Sequence, residues 1–181
     1  MTLGNNRKIL SGLVLTIALV LGFIMGLIAA LNQGSWFDTF IMSISVSGMS
    51  VPTFWLGLLL IMLFSVRLAW FPSISSGNSP RELFLPALTL GLPEAAVVAR
   101  MVRASMLDVL GREYVTTARA KGLREPRVVI HHGLRNALIP VVTFIGLQMA
   151  YLLGGSAIVE TLFARQGIGR LAVQAIANRD Y

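Results

Sequence analysis

The 181-residue chain has no cysteine and only two histidines. The missing cysteine excludes a disulfide framework, a thiolate metal site and a cysteine nucleophile. The two histidines, His131 and His132, are adjacent. On a helix they point about 100° apart, a poor chelating geometry. No His/Asp/Glu cluster has metal-ligand spacing, so no metal site is expected. Charge is scarce as well. Asp, Glu, Lys and Arg make up 13% of the chain, where a soluble domain carries roughly 25%. No Gly-x-x-x-x-Gly-Lys-Ser/Thr phosphate loop occurs, so ATP, if used, must be bound by another chain.

Apolar residues are abundant instead, at 55% with a mean hydropathy of +0.75. A membrane-spanning helix needs about 20 mostly apolar residues. Four stretches meet or approach that length, at 9–31, 39–66, 83–106 and 136–160. The expected fold is therefore an all-α membrane protein, residues 1–181 forming one domain. The apolar stretches hold Ser43, Ser45, Ser47 and Ser50 but neither histidine nor cysteine. A serine nucleophile would lack a base in reach, which argues against an enzyme.

Eight of the fifteen Lys and Arg lie between Arg100 and Arg135. Basic residues beside apolar spans mark a cytoplasmic loop. No separate basic domain exists that could bind nucleic acid. With the loop at 107–135 inside, the Arg67–Arg81 connection is outside and the N-terminus is also outside. Arg7 and Lys8 then precede the first span on the outer face, the less usual side for basic residues. A further span before them would remove that conflict, so the chain is expected to be cut short, and its abrupt close at Tyr181 suggests the same at the other end. The loop reads as helical from Ser105 to Arg124, with Pro126 as a break. Gly22-x-x-x-Gly26 and Gly154-Gly155-Ser156-Ala157 allow helices to approach closely. Gly91-Leu92-Pro93-Glu94 reads as a local break and restart of a helix. Glu94 is the one acid within a span: it is either a first-turn partner of that restart or a group on a translocation path. Pro52 and Pro140 are candidates for a kink or for the path itself. Arg100 and Arg103 read as interfacial anchors.

Several segments carry a resemblance. Ala118-Arg-Ala-Lys-Gly-Leu123 resembles the "EAA" signature of ABC-importer permeases. It is in the form of the dipeptide/oligopeptide/nickel branch, although Thr116-Thr117 stands where the general signature has Glu-Ala. Gly34-Ser-Trp-Phe-Asp38, Ser50-Val-Pro-Thr-Phe-Trp55, Leu134-Arg-Asn-Ala-Leu-Ile-Pro140, Leu152-Leu-Gly-Gly-Ser156 and Val159-Glu-Thr-Leu-Phe163 are similar to that branch in the same order. The resemblance implies four helices of a normally about six-span type I permease in a bacterial inner membrane. It implies as partners a second permease, cytoplasmic ATPases and an extracytoplasmic solute-binding protein. No cofactor is implied for this chain, ATP being bound by the ATPases. The ATPase-coupling helix would centre on Thr116, Thr117, Ala118, Arg119, Ala120, Lys121, Gly122 and Leu123. Alternatives are a non-functional fragment of such a permease, or a stand-alone channel or carrier. The orientation generates a first prediction. A Lys121→Cys variant should resist a membrane-impermeant thiol reagent in intact cells and react in inverted vesicles; the opposite pattern would reverse the topology.

Overall fold

The computed structural model describes residues 3–74, 79–154, 157–165, 169 and 176. Regular structure among them is helical throughout. α1 spans Leu3–Leu31 and α2 spans Trp36–Ser50. α3 spans Thr53–Leu60 and continues as π-helix through Ile61–Arg67. α4 is Pro80–Leu110 and α5 is Glu113–Ala120. The short α6, Glu125–Arg127, runs through the π-helical Val128–Leu134 into α7, Arg135–Gly154. α8 is Ala157–Leu162. Gly77, Asn78, Gly155, Ser156 and most of the tail after Arg165 lie outside the described residues.

Three helical stretches are long and apolar enough to cross a membrane: Ile9–Leu31, Pro80–Leu110 and Glu125–Ala150. A fourth crossing exists if α2 and α3 with its π-helical end form one span; the two arms meet at 103°. The stretch at 39–66 is therefore two arms with an elbow beside Pro52, one of the two kink candidates. Its cause is local. Proline clashes with a helical predecessor, and Val51 accordingly takes the extended conformation, φ −78° and ψ 124°, which ends α2. Pro52 then serves as the N-cap of α3, its carbonyl accepting from the Leu56 N–H at 3.1 Å.

The expected break at Gly91–Glu94 does not occur, since α4 passes unbroken through Pro86 and Pro93. The reason is the partner on its flank. α1 and α4 share the most extensive helix contact among the described residues. Gly22, Gly26 and Ala18 recur every four residues on α1 and face α4, all of them buried. A Cβ on Gly22 would lie 2.6 Å from the Ala95 carbonyl oxygen, and one on Gly26 would lie 2.8 Å from the Val102 Cβ and closer still to the Ala99 carbonyl. Lower down, a Cβ on Gly91 would lie 3.1 Å from the Ile17 Cβ. Backbone against backbone on both sides of Pro93 supports the helix through it.

Two apolar clusters complete the packing. Val98, Val102 and Met106 of α4 meet Ala30 of α1 and Ala137 and Val141 of α7. At the opposite end Leu60 and Leu85 meet Val159 and Phe163. The elbow leaves an apolar cavity of about 220 Å³ lined by residues that include Leu21, Gly48, Val51 and Pro93. Many apolar side chains remain exposed, Val20, Phe40 and Leu147 among them, as expected of helices solvated by lipid.

The seam generates a prediction. Gly26→Val should destabilise the protein by about 1–3 kcal/mol or more, the range for overpacking. Gly12, with nothing within 4 Å of an added Cβ, should accept the same change with little effect. Thermal unfolding in detergent checks both.

Candidate functional site

α5 forms a small surface of its own. Its capping is a Schellman arrangement at the C-terminus. Gly122 takes a positive φ of 79°, a conformation that strains L side chains. Its N–H bonds the Arg119 carbonyl at 2.9 Å, and the Leu123 N–H bonds the Ala118 carbonyl at 3.3 Å. Val115, Ala118 and Val128 then form a buried cluster with Leu110 and Leu123 packed against it. α5 is therefore attached on one side to the end of α4 and on the other to the α6–α7 rod. Tyr114 joins the same joint, accepting from the Asn136 amide at 3.0 Å.

The helix expected from Ser105 to Arg124 is two helices. Gly111 ends α4 and Arg112 is extended, φ −75° and ψ 148°, which turns α5 off the α4 axis. Of the eight residues singled out, Thr116, Thr117, Arg119, Ala120, Lys121 and Gly122 are exposed, Leu123 is half-buried and Ala118 is buried. Ala118 thus faces its own protein. The surface open to another molecule is the opposite one, around Thr116, Ala120 and Lys121. Arg119 spans the turn to Glu125, Nη2 to Oε1 at 2.7 Å, and that hydrogen bond pushes the Arg119 guanidinium pKa up.

The remaining candidates lie elsewhere. Pro52 is exposed at the elbow. Glu94 is half-buried on α4 and accepts a short hydrogen bond from the Gln148 amide of α7, which ties those helices together. Pro140 is exposed within α7. None of the three joins the α5 surface.

One feature was absent from the sequence reading. Arg103, expected as an interfacial anchor, pairs with Asp38 of α2. Nε donates to Oδ1 at 2.5 Å and Nη2 to Oδ2 at 2.7 Å. The Gly34 N–H donates to the same carboxylate at 3.0 Å, and the Ser35 hydroxyl accepts from the Asp38 N–H at 3.3 Å. Asp38 is 4% exposed, so its charge depends on these donors. The pair walls an open groove of about 600 Å³ along α2, with Thr39, Ser43 and Ser47 on the same side. The available signal was a lone acid just before one apolar run and two arginines, Arg100 and Arg103, near the end of another. Glu160 and Arg165, near α8, are also buried charged groups that sequence reasoning did not single out.

A family model described as binding-protein-dependent transport system inner membrane component matches residues 9–181. The chain belongs to that family. The glutathione transport system permease protein GsiC of Escherichia coli strain K12 is 52% identical over 164 residues, covering 91% of this chain and 53% of that protein. GsiC of Pectobacterium atrosepticum is 50% identical over the same share of each chain. This family member thus spans about half the length of the curated relatives it matches. Among solved structures, the inward-facing MetNI methionine ABC transporter matches with a TM-score of 0.73 at 21% identity, over 96% of this chain and 78% of that one. An amino acid ABC transporter matches at 0.63 and 20% identity, over the same shares. At these identities the likeness establishes the fold.

For this inner membrane component the ion pair gives a stability prediction. Asp38→Asn should destabilise by about 3 kcal/mol, the low end of what breaking a buried pair does, because Arg103 keeps 27% of its side chain exposed. Asp38→Asn combined with Arg103→Gln should recover at least half of that loss. Additive losses in thermal unfolding would show the two groups to be independent.

Proposed function

We propose that this chain is the permease subunit of an ATP-driven, binding-protein-dependent importer for peptides or related small solutes. In this reading it forms part of the translocation path together with a second, homologous permease. An extracytoplasmic solute-binding protein delivers the solute. Two cytoplasmic ATPases bind and hydrolyse ATP, and each grips a permease at the α5 surface. The observation that carries the reading is the 52% identity to a glutathione transport permease along 91% of the chain. Glutathione, a tripeptide, is accordingly the first solute to assay.

The exposed face of α5 supports the coupling role. It is short, rigidly capped and polar, and its buried face bears on both α4 and the α6–α7 rod. A displacement applied to it by closing ATPases enters two spans at once. Nothing in the chain itself supplies a phosphate loop, so the energy must come from a partner.

The test is co-purification with the ATPase encoded beside it, followed by solute-stimulated ATP hydrolysis in proteoliposomes. Gly122→Val forces a β-branched residue to a φ of 79°, for about 1–2 kcal/mol of local strain. It should reduce stimulated hydrolysis and uptake by more than tenfold while the assembled protein still inserts. Normal transport by that variant would rule out coupling through this turn.

A further inference from the structure

We propose that the groove beside α2 holds a solute-contact site that receives a carboxylate, with Arg103 as its cationic group. The inference rests on the importer reading above and names a chemical class of solute within it.

The geometry of the guanidinium is the starting point. A guanidinium offers N–H donors along more than one edge of a planar fork. Asp38 occupies the Nε–Nη2 edge, with contacts at 2.5 and 2.7 Å. The Nη1 edge makes no hydrogen bond among the described residues, and Arg103 is part of the groove wall. A carboxylate entering the groove can take that second edge bidentately, the geometry that makes arginine the preferred partner of planar anions.

The groove supplies the rest of such a site. Thr39, Ser43 and Ser47 are four residues apart on α2, so they stand above one another on one helix face. All three are exposed toward the groove. The Ser43 and Ser47 hydroxyls can donate to a carboxylate or accept from an amide, while Thr39, which donates to the Ser35 carbonyl at 3.3 Å, can accept from an amide; this suits a peptide-like solute. A volume of about 600 Å³ lies within the roughly 300–1,000 Å³ common for small-molecule sites.

Asp38 is a positioning residue in this arrangement. It is buried, held by the Gly34 N–H, and fixes the guanidinium plane. It also cancels the arginine charge, so the site holds an anion weakly. A transit site requires that, since a solute bound tightly would not leave.

The experiment is a coupling cycle between the arginine and the solute's carboxylate. The assembled importer, reconstituted in proteoliposomes, is assayed with a tripeptide bearing a free C-terminal carboxylate and with the same tripeptide as its C-terminal amide. The permease is either the parent or the double variant Asp38→Asn/Arg103→Gln, which leaves no buried charge unpaired. The binding protein's own preference is common to both permeases and cancels in the ratio of ratios. The inference expects the variant to lower kcat/KM for the carboxylate solute at least tenfold more than for the amide. Ser43→Ala with Ser47→Ala should lower kcat/KM for both solutes, mainly through KM, since hydroxyls contact either end group. An equal effect of the charge-neutral variant on both solutes would overturn the site. Absence of ATP-driven uptake by the parent assembly would overturn the importer reading itself, and this inference with it; the inactive parent distinguishes that case from the first.

Discussion

The glycine seam between α1 and α4 is the contact on which the remaining geometry depends. In a lipid environment apolar side chains gain little by leaving their surroundings for one another, so helices are held by close packing and hydrogen bonds. Gly22 and Gly26 bring two backbones to a separation that no side chain at those positions would allow. The seam also sets register. Gly26 faces Ala99 and Val102, which places Arg103 beside the α1–α2 turn where Asp38 is anchored. A slip of one helical turn would move Arg103 by about 5.4 Å and abolish a pair held at 2.5–2.7 Å.

Proline shows how the surroundings decide the outcome of one residue type. Pro93 lies in a helix supported on both sides by backbone contact with α1, and α4 continues through it. Pro52 is exposed and follows an extended Val51, and there the chain bends through 103°. The stereochemical demand on the preceding residue is the same in both cases. Exposure alone does not bend a helix, since α7 also continues through the exposed Pro140; at Pro93 packing against α1 supports the helix. That packing depends on residues far away in sequence, such as Ile17 and Gly22.

This explains what the sequence made legible. Long apolar runs identified the helices of α1, α4 and α7, because apolar length is a local property. The glycine stop at Gly122 was likewise legible, since a helix ending in basic residues before glycine is a local pattern. The inward direction of Ala118 was within reach too: it lies three residues from Val115, the spacing of one helix face. The break at Gly111–Arg112 had the same kind of local signal in Gly111, which caps α4. The packing of Val115 against Val128 that holds the turn joins residues thirteen apart and was not legible. Asp38 and Arg103 are 65 residues apart, and no local pattern joins them.

α4 has the character of a beam to which the functional parts are fixed. It carries the seam with α1, the Arg103 link to α2 and the Glu94 link to α7, and its last turn leads directly into α5. From Leu110 back to Arg103 is seven residues, or about 10 Å along the axis. A helix cannot bend over that distance without a proline, a glycine or a π-bulge to break its ladder, and none lies between them. In the importer reading, any movement of α5 must therefore tilt or shift the Arg103 end of α4 as a rigid piece. Met106, packed against Ala30 and Ala137, lies nearer the point of entry, and the Asp38–Arg103 contact follows within one further turn. The wall of the groove thus lies within about two helical turns of the surface on which ATPases would act, a consequence of chain order.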